Sequence, residues 1–345
     1  YCLDASTGEH VWTHDTGAAS YGGSSPAADG SQVFVGSSTA DFLCLDASTG
    51  EREWYYKTME GVTRRYGVCS SPALDENRVY VGACDGHVYS FDRDDGSLAW
   101  RTDLDDSIFG SPMLTEDSLY IGVGSYISGE GSVDSYRLHR LSLEDGSEMA
   151  SFRTGDHVMS TPAISGDALY FGGMDDNVYC LDAEDLSIRW KYETGGEVVS
   201  SPAVDGDRVY ITSKDGNLYC LDAVNGDELW TYAMDGESWS SCALVDGVIY
   251  TATLRGTLYA IGEGGSDGGS DGEDGTDGTD GTDGEDGTDG AADGEDGTDG
   301  TADGDDGDDG TGDQDGTGDA DGADGTGAGG EDAGDADVDA DADTD

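Results

Sequence analysis

The chain has 345 residues, of which 76 are acidic and 15 are basic, so its formal net charge at pH 7 is −61. This balance argues against nucleic-acid binding and against attachment to anionic membranes, because both need clustered Lys and Arg. No segment predicts direct insertion into a membrane.

A phrase at the N-terminus returns along the chain. Residues Cys2–Trp12 read CLDASTGEHVW, and residues Cys44–Trp54 read CLDASTGEREW. A second phrase, SSPA or a variant of it, occurs at Ser24–Ala27, Ser70–Ala73, Gly110–Met113, Ser160–Ala163, Ser200–Ala203 and Ser240–Ala243. Eight residues after its third position stands an aromatic residue each time: Phe34, Tyr80, Tyr120, Tyr170, Tyr210 and Tyr250. Six copies of one unit of about forty residues are typical of a repeat protein.

One copy shows what the unit predicts. Residues 198–233 read VVSSPAVDGDRVYITSKDGNLYCLDAVNGDELWTYA, in which four runs rich in Val, Tyr, Ile and Trp are separated by Asp-Gly or Asn-Gly. This pattern predicts four antiparallel strands joined by tight turns. A single sheet of this size cannot bury both faces, whereas sheets repeated around an axis cover one another. The sequence therefore predicts an all-β protein, a β-propeller of four-stranded antiparallel blades.

The strands can be counted along residues 1–261. Residues 1–17 predict strands three and four of a half blade, the next five copies predict four strands each, and the sixth predicts three strands ending at Ile261. Because propellers close by completing the last blade with a segment near the N-terminus, we expect this chain to be an N-terminally truncated propeller of seven or more blades. The missing initiator Met and signal peptide fit that expectation.

The third and fourth strands carry a recurring motif. It has the form small-x-Asp-x-x-(Thr or Asp)-Gly-x-x-x-Trp and resembles the tryptophan-docking motif of the PQQ-like β-propeller repeat family, which includes BamB-type lipoproteins and quinoprotein dehydrogenases. The resemblance implies that each Trp packs on the neighbouring blade; the corresponding residues are Trp12, Trp54, Trp100, Trp190 and Trp230. Ala150 replaces the Trp in the third copy and Leu186 replaces the Gly in the fourth, which puts two joints between blades in doubt.

The cysteines mostly follow the repeat. Cys2, Cys44, Cys180 and Cys220 occupy one position of the third strand and are expected to be small buried residues, while Cys242 replaces a repeat Pro. Cys69 and Cys84 stand outside this pattern. If the turn between strands one and two lies at residues 76–77, these two cysteines face each other, and they are a possible disulfide.

Two copies carry insertions. Six extra residues precede Pro72 and include Arg64, Arg65 and Tyr66; ten extra residues precede His139 and include Tyr126 and Tyr136, with Arg137 at their end. Both connections should emerge on the same face of the propeller. Exposed Arg and Tyr dominate binding hot spots, so these residues are candidates for a partner-binding site. The alternative is that the insertions are merely tolerated and that Arg64 and Arg65 pair with nearby carboxylates.

The composition changes at residue 262. Residues 262–345 hold 33 of the acidic residues, no aromatic residue and no Lys or Arg, and they predict a disordered low-complexity tail with diffuse cation binding. Specific calcium loops are not favoured, since the three-residue repeat does not match the spacing of an EF-hand. The propeller itself carries a net charge of −28 and three lysines. It resembles the proteins of extreme halophiles, with an ordinary acidic secreted protein as the alternative.

Two classes of function remain. The quinoprotein dehydrogenases that the motif resembles hold PQQ and calcium beside a pair of adjacent cysteines, and this chain has no such pair. Catalytic motifs of hydrolases, metalloproteases and P-loop enzymes are absent as well. We therefore predict a non-enzymatic scaffold without PQQ, calcium or another metal, which binds a protein or peptide at the cell surface or outside the cell. The alternatives are a PQQ-dependent dehydrogenase and the extracellular sensor domain of a larger protein.

Overall fold

The computed structural model describes residues 1–17, 23–58, 67–124 and 136–262. All of them lie in the first of the two units into which the chain divides, Tyr1–Asp271 and Gly272–Asp345. These residues form 25 strands and no helix, so none of them belongs to a helix that could span a membrane. The predicted all-β propeller and its strand order are confirmed, with a two-stranded, five four-stranded and one three-stranded antiparallel sheet.

The strands follow one another in chain order within each sheet. The half blade has β1 (Cys2–Leu3) and β2 (His10–Trp12), blade one has β3 (Ala27–Ala28), β4 (Gln32–Gly36), β5 (Asp41–Asp46) and β6 (Arg52–Lys57), and blade two has β7 (Ala73–Leu74), β8 (Arg78–Gly82), β9 (His87–Asp92) and β10 (Leu98–Asp103). Blade three has β11 (Met113–Leu114), β12 (Ser118–Gly122), β13 (Arg137–Ser142) and β14 (Glu148–Arg153), and blade four has β15 (Ala163–Ser165), β16 (Ala168–Gly173), β17 (Asn177–Asp182) and β18 (Ile188–Glu193). Blade five has β19 (Ala203–Asp205), β20 (Arg208–Thr212), β21 (Asn217–Asp222) and β22 (Glu228–Ala233), and blade six has β23 (Ala243–Val245), β24 (Val248–Ala252) and β25 (Leu258–Gly262).

The turn between the third and fourth strands explains the repeated Asp and Gly. In blade one, Asp46 Oδ1 accepts hydrogen bonds from the backbone N–H groups of Ser48 and Thr49, at 2.9 and 2.8 Å. Gly50 closes the turn in the left-handed backbone conformation, with φ at +72°. Glycine adopts this conformation without steric strain, whereas the Cβ of another residue makes it unfavourable. Asp supplies the local acceptor and Gly the left-handed backbone, so this spacing specifies a turn.

Alternate residues of each third strand enter different layers of the core. In β17, Val178 and Cys180 lie in the apolar cluster shared with blade five. Tyr179 and Leu181 lie in the cluster shared with blade three. Both faces of the strand are therefore buried. This explains why Cys44, Cys180 and Cys220 are buried, as their repeat position predicts.

The two hydroxyl residues of the SSPA phrase have different tasks. The first makes hydrogen bonds within its own blade, where Ser70 Oγ accepts from Gly82 N at 2.8 Å and donates to Gly82 O at 2.9 Å. The second links neighbouring blades, because its Oγ accepts from the backbone N–H of the corresponding residue one blade earlier. These links run from Ser25 to Ser71, Ser71 to Ser111, Thr161 to Ser201 and Ser201 to Ser241, at 2.9–3.0 Å. The phrase therefore joins the innermost strands around the propeller axis.

The propeller presents two faces. We call the face that carries the turns between strands one and two and between strands three and four the hairpin face. The other, which we call the insertion face, carries the connections from strand two to three and from one blade to the next. On the insertion face the two kinds of connection touch, since Gly155 N and Gly195 N donate to Asp175 and Asp215 at 2.7 and 2.8 Å.

Candidate functional site

The motif tryptophans lie against the turn of the following blade. The indole N–H groups of Trp12, Trp54, Trp100 and Trp190 donate to the carbonyl oxygens of Ala47, Arg93, Leu143 and Ala223, at 2.9–3.0 Å. Each ring covers the turn glycine of that blade; a Cβ there would come within 2.5–2.7 Å of the ring at Gly50, Gly96, Gly146 and Gly226. Trp230 is half-buried beside Tyr210, with their ring centroids 6.0 Å apart.

The two departures from the motif meet in one joint, whereas the sequence analysis assigned them to two. Ala150 and Leu186 lie in the same cluster between blades three and four. Leu186 is 3% exposed and keeps the left-handed backbone of the glycine it replaces, with φ at +56°. Thus the side chain lost from one blade is replaced by a side chain gained on the next.

The insertion face carries the predicted partner-binding residues that the structure describes. Tyr136 is half-buried, and its ring meets His157 edge-on with centroids 4.4 Å apart. Arg137 is half-buried at the start of β13 and donates to Ser151 Oγ at 3.4 Å. The other four predicted residues, Arg64, Arg65, Tyr66 and Tyr126, lie outside the described residues. The structure therefore places two members of the set, and both are partly packed into the propeller.

A set of apolar side chains on the same face was missed by the sequence analysis. They occupy the position just before the SSPA phrase: Cys69, Phe109, Met159, Val199 and Trp239. Phe109, Met159 and Val199 are half-buried, while Trp239 is 42% exposed. Because each lies four residues before the first, innermost strand of a blade, we expect these side chains to lie around the propeller axis. The signal in the sequence was their fixed place in the repeat, which patterning by strand alone does not single out.

Lys214 lies over the most exposed of these residues. Its Nζ is 4.6 Å from the centroid of the Trp239 ring and forms an ion pair with Glu197. Arg255, which is exposed, comes from the corresponding connection of blade six. A cation placed over an indole is favourable and keeps the ring in a defined orientation. The insertion face therefore offers an exposed indole with Lys214 over it and a second cation, Arg255, on the connection of blade six.

Three acidic residues of this face are engaged with tyrosines of the protein itself. Tyr89, Tyr179 and Tyr219 donate their hydroxyl groups to Asp85, Asp175 and Asp215 at 2.5–2.7 Å. Burial, followed by this hydrogen bond to a carboxylate, raises the pKa of Tyr219 to about 12. These carboxylates hold connections in place and are less available to a ligand.

Blade three differs from this pattern. His139 stands where blades two, four, five and six have Tyr, and its Nδ1 lies 2.7 Å from Glu148 Oε2. Burial lowers the pKa of His139, and the bond to Glu148 opposes that shift. His157 is 6% exposed, and its Nε2 is 3.9 Å from Asp106 Oδ2. Among the described residues no three His, Cys, Asp or Glu side chains are arranged to hold a metal ion.

The hairpin face has the opposite character. Its arginines are bound by the protein itself: Arg78 donates to Leu143 O at 2.8 Å, and Arg93 pairs with Asp29. Arg189 pairs with Asp167 and Asp182 at 2.9 and 2.7 Å, and the two carboxylates raise its pKa above the ordinary value. A pocket of about 580 Å³ on this face is lined by Asp205, Asp207 and Asp246, together with Arg208, Tyr210, Leu244 and Val248. Its lining therefore carries three carboxylates and one guanidinium.

Comparison with known proteins agrees with the fold. The family model described as outer membrane protein assembly factor BamB matches residues 1–148 and 134–277. The solved structure of BamB from Moraxella catarrhalis is similar with a TM-score of 0.61, at 20% identity over 75% of this chain and 77% of that one. A europium-containing methanol dehydrogenase is similar with a TM-score of 0.59, at 12% identity over 69% of this chain and 66% of that one.

A curated relative matches over a shorter stretch. The beta-alanine-activating enzyme of Danio rerio is 31% identical over 98 residues, which are 28% of this chain and 8% of that protein. The solved structures share less than 25% identity with this chain and therefore speak for the fold alone. The family model, in contrast, covers most of the sequence, with a blade repeat and docking motif that the structure also contains. The chain belongs to the BamB family of PQQ-like repeat β-propellers.

Proposed function

We propose that this protein is a non-catalytic scaffold that binds an extended peptide or a protein loop on its insertion face. The observation that carries the proposal is the exposed indole of Trp239 beside Lys214, on the face where the apolar set surrounds the axis. Large exposed aromatic groups held by a rigid scaffold are typical of protein-binding surfaces. Membership of the BamB family supports a protein-interaction role in general.

The contrast between the two faces suggests what the partner carries. Lys214 and Arg255 can attract a carboxylate, while Trp239 and Phe109 can cover an apolar side chain. Lys214 already pairs with Glu197, as the hairpin-face arginines pair with their carboxylates, but it also lies over the exposed indole of Trp239, which the hairpin-face arginines do not. We therefore expect the partner segment to have an apolar residue next to Asp or Glu. The net charge of −28 repels such a segment at long range, so binding should need salt to screen it.

Selection of peptides tests the proposal directly. A displayed random-peptide library is panned against the 345-residue chain in molar potassium chloride, and the selected peptides are measured by fluorescence anisotropy. Trp239→Ala should weaken their binding at least tenfold, since truncating a hot-spot aromatic costs about 2 kcal/mol or more. Lys214→Ala should weaken the acidic peptides most.

A matched control is available on the opposite face. Val224 is 81% exposed in a turn of the hairpin face, so Val224→Ala should leave peptide binding and the melting midpoint unchanged. The site would be wrong if Trp239→Ala and Val224→Ala lost peptide affinity equally, or if the selected peptides bound Trp239→Ala as tightly as the wild type. Failure to select any peptide over several salt concentrations would count against a scaffold.

We also propose that the protein works at high salt and at the cell surface or outside the cell. The propeller has 43 acidic and 15 basic residues, so repulsion among its carboxylates should destabilise the fold when little salt is present to screen it. Thermal melts in a series of potassium chloride concentrations should therefore show a rising midpoint. A flat or falling series would contradict the adaptation to salt. The family description, which names outer membrane assembly, is compatible with a location in the cell envelope.

A PQQ-dependent oxidoreductase is the second candidate because the solved neighbours include dehydrogenases. The chain does not fit this cofactor well: it has no adjacent cysteines, and its described residues hold no group of three metal-ligating side chains. Incubation with PQQ and calcium followed by gel filtration decides between the two. Stoichiometric chromophore retention with dye reduction by an alcohol would replace the scaffold with the enzyme.

A further inference from the structure

The two cysteines that stand outside the repeat lie together on the insertion face. Cys69 is 6% exposed and Cys84 is 2% exposed, and they form one small apolar cluster with Ala40, packed under Phe109. The Cys84 thiol hydrogen-bonds to Cys69 and lowers the pKa of Cys69, while burial opposes that shift. Neither cysteine is in a disulfide in the structure.

The backbone keeps the two residues opposite each other. Strands β7 and β8 pair Ala73 with Tyr80 and Leu74 with Val79, and the same register continued past their ends pairs residue 69 with residue 84. Cys84 is held on both sides, because its N–H donates to Gly67 O and its carbonyl accepts from Ser107 Oγ, each at 3.0 Å. A disulfide needs two cysteines that face each other, and the hydrogen bond between these two thiols places their sulfurs within reach of one another.

Three other cysteines have different surroundings. Cys44 and Cys180 lie in separate apolar clusters between different blades. Burial raises the pKa of Cys180 to about 11, so its thiolate is scarce at neutral pH. The hydrogen bond that Cys242 makes is with Thr251 rather than with a second thiol. The thiol–thiol hydrogen bond thus distinguishes the pair at 69 and 84 from Cys44, Cys180 and Cys242.

We propose that Cys69 and Cys84 are a dithiol that hydrogen peroxide oxidises reversibly to a disulfide. The bond would link the connection that enters β7 to the connection between β8 and β9, two segments of the insertion face. It does not depend on the identity of the partner. A small oxidant suits a pair of thiols that are this deeply buried.

The chemistry has two steps. The Cys69 thiolate attacks one oxygen of the peroxide, an S–O bond forms, the O–O bond breaks, and the departing hydroxide takes a proton to become water. The Cys84 thiolate then attacks the Cys69 sulfur, the S–S bond forms, and the S–O bond breaks with release of a second water. The sulfur pair loses two electrons and the peroxide gains them; a dithiol reductant such as dithiothreitol reverses the reaction by exchange.

Peptide mapping of the wild-type chain tests the proposal. The reduced 345-residue protein is exposed to hydrogen peroxide, alkylated under native and denaturing conditions, and digested. The intact mass should fall by about 2 Da, and the lost thiols should map to Cys69 and Cys84, while Cys44 and Cys180 remain alkylatable after denaturation. Dithiothreitol should restore the starting mass.

The cross-link should also stabilise the fold. It closes a loop of about fifteen residues, which should raise the melting midpoint by roughly 5–10 °C relative to the reduced protein. Cys84→Ser should abolish both the mass change and the rise, and Cys180→Ser, the matched control at a single buried thiol, should keep both. Because mapping uses the wild-type chain, the result stands even if a variant fails to fold.

Three outcomes would overturn the proposal. One is that Cys69 and Cys84 both stay reduced after peroxide treatment that oxidises exposed methionines. Another is accumulation of sulfinic acid at Cys69 with Cys84 still free, which would show that the sulfurs cannot meet. The third is a disulfide that maps to any other cysteine.

Discussion

Two joints of this propeller solve the same packing problem with different residues. Between blades four and five, Trp190 covers Gly226, is 8% exposed, and donates its indole N–H to Ala223 O at 3.0 Å. Between blades three and four, Ala150 takes the place of Trp and Leu186 the place of Gly. The large apolar side chain comes from blade four instead of blade three, and the joint remains packed.

The polar half of the second joint is also rebuilt. Ala183 O, which corresponds to the acceptor of the indole, keeps the hydrogen bond from the tyrosine of its joint, Tyr120 OH at 2.7 Å, and has no indole donor, whereas Ala223 O accepts from both Tyr170 and Trp190. Arg140 stands at the position of the repeat cysteine, opposite Ala150 across the strands, and is 9% exposed. Its guanidinium donates to Ser118 Oγ at 2.9 Å and to Glu184 O. A joint can therefore lose its motif residue and stay packed, with the lost indole hydrogen bond offset by the new hydrogen bonds of Arg140.

The largest expected effect is at the tryptophan joint. Trp190→Ala should lower the free energy of unfolding by about 3–5 kcal/mol, because it opens a large cavity and leaves Ala223 O with one donor fewer. Denaturant unfolding at fixed high salt measures this. Trp239→Ala is the control, since that side chain is 42% exposed and its loss should change stability by less than about 0.5 kcal/mol. Equal costs would mean that Trp190 does not hold the joint.

A double-mutant cycle at the other joint should show the exchange itself. Ala150→Trp should cost about 1–3 kcal/mol by overpacking against Leu186, and Leu186→Gly should cost about as much by removing a buried side chain, less the relief of its left-handed backbone. The double variant should recover at least about 1 kcal/mol of the summed loss. Additive losses would show that the two positions are independent. The control is a second cycle at two exposed residues, Val224→Trp and Val11→Gly, whose effects on stability should add.

Arg140 should resist conservative replacement. Arg140→Lys removes the planar group that reaches Ser118 and Glu184 together, and we expect a loss of about 1–2 kcal/mol. Arg189→Lys, at an exposed arginine paired with two carboxylates, should cost less than about 1 kcal/mol. A smaller loss at residue 140 than at residue 189 would contradict the role given to Arg140 in the joint.

The smallest effect concerns pH and the turn that carries Leu186. The hydrogen bond from Arg189 and the Glu184 N–H hold the pKa of Asp182 below its usual value. A carboxylate whose pKa is lowered by folding stabilises the protein above its unfolded pKa, near 4, and this contribution disappears as the pH falls through the folded pKa. Asp182→Asn should therefore flatten the acid limb of a stability profile between pH 7 and pH 3. An unchanged slope would show that this turn does not respond to protonation.

Much of the fold was predictable because its signals are local. An Asp and a Gly at the spacing of Asp46 and Gly50 define the same turn in each blade that has them. The alternation of side chains between the two faces of a strand places Cys44 and Cys180 inside. The candidate site was predicted only in part. Tyr136 and Arg137 lie on the expected face, but Trp239 and Lys214 were not singled out. Their meeting depends on two connections from neighbouring blades, which no spacing within one repeat reveals.

By itself the sequence determined the blade repeat, the strand order, the turns and the surplus of carboxylates, because each depends on residues close together in the chain. Only the tertiary structure decided which side chains compensate for one another across blades. Ala150 and Leu186 look like two separate defects in the sequence, and they form one joint because residue 150 of one blade packs on residue 186 of the next. The facing pair Cys69 and Cys84 lies between these cases, since the register of one hairpin predicts it and the surrounding blades bury it.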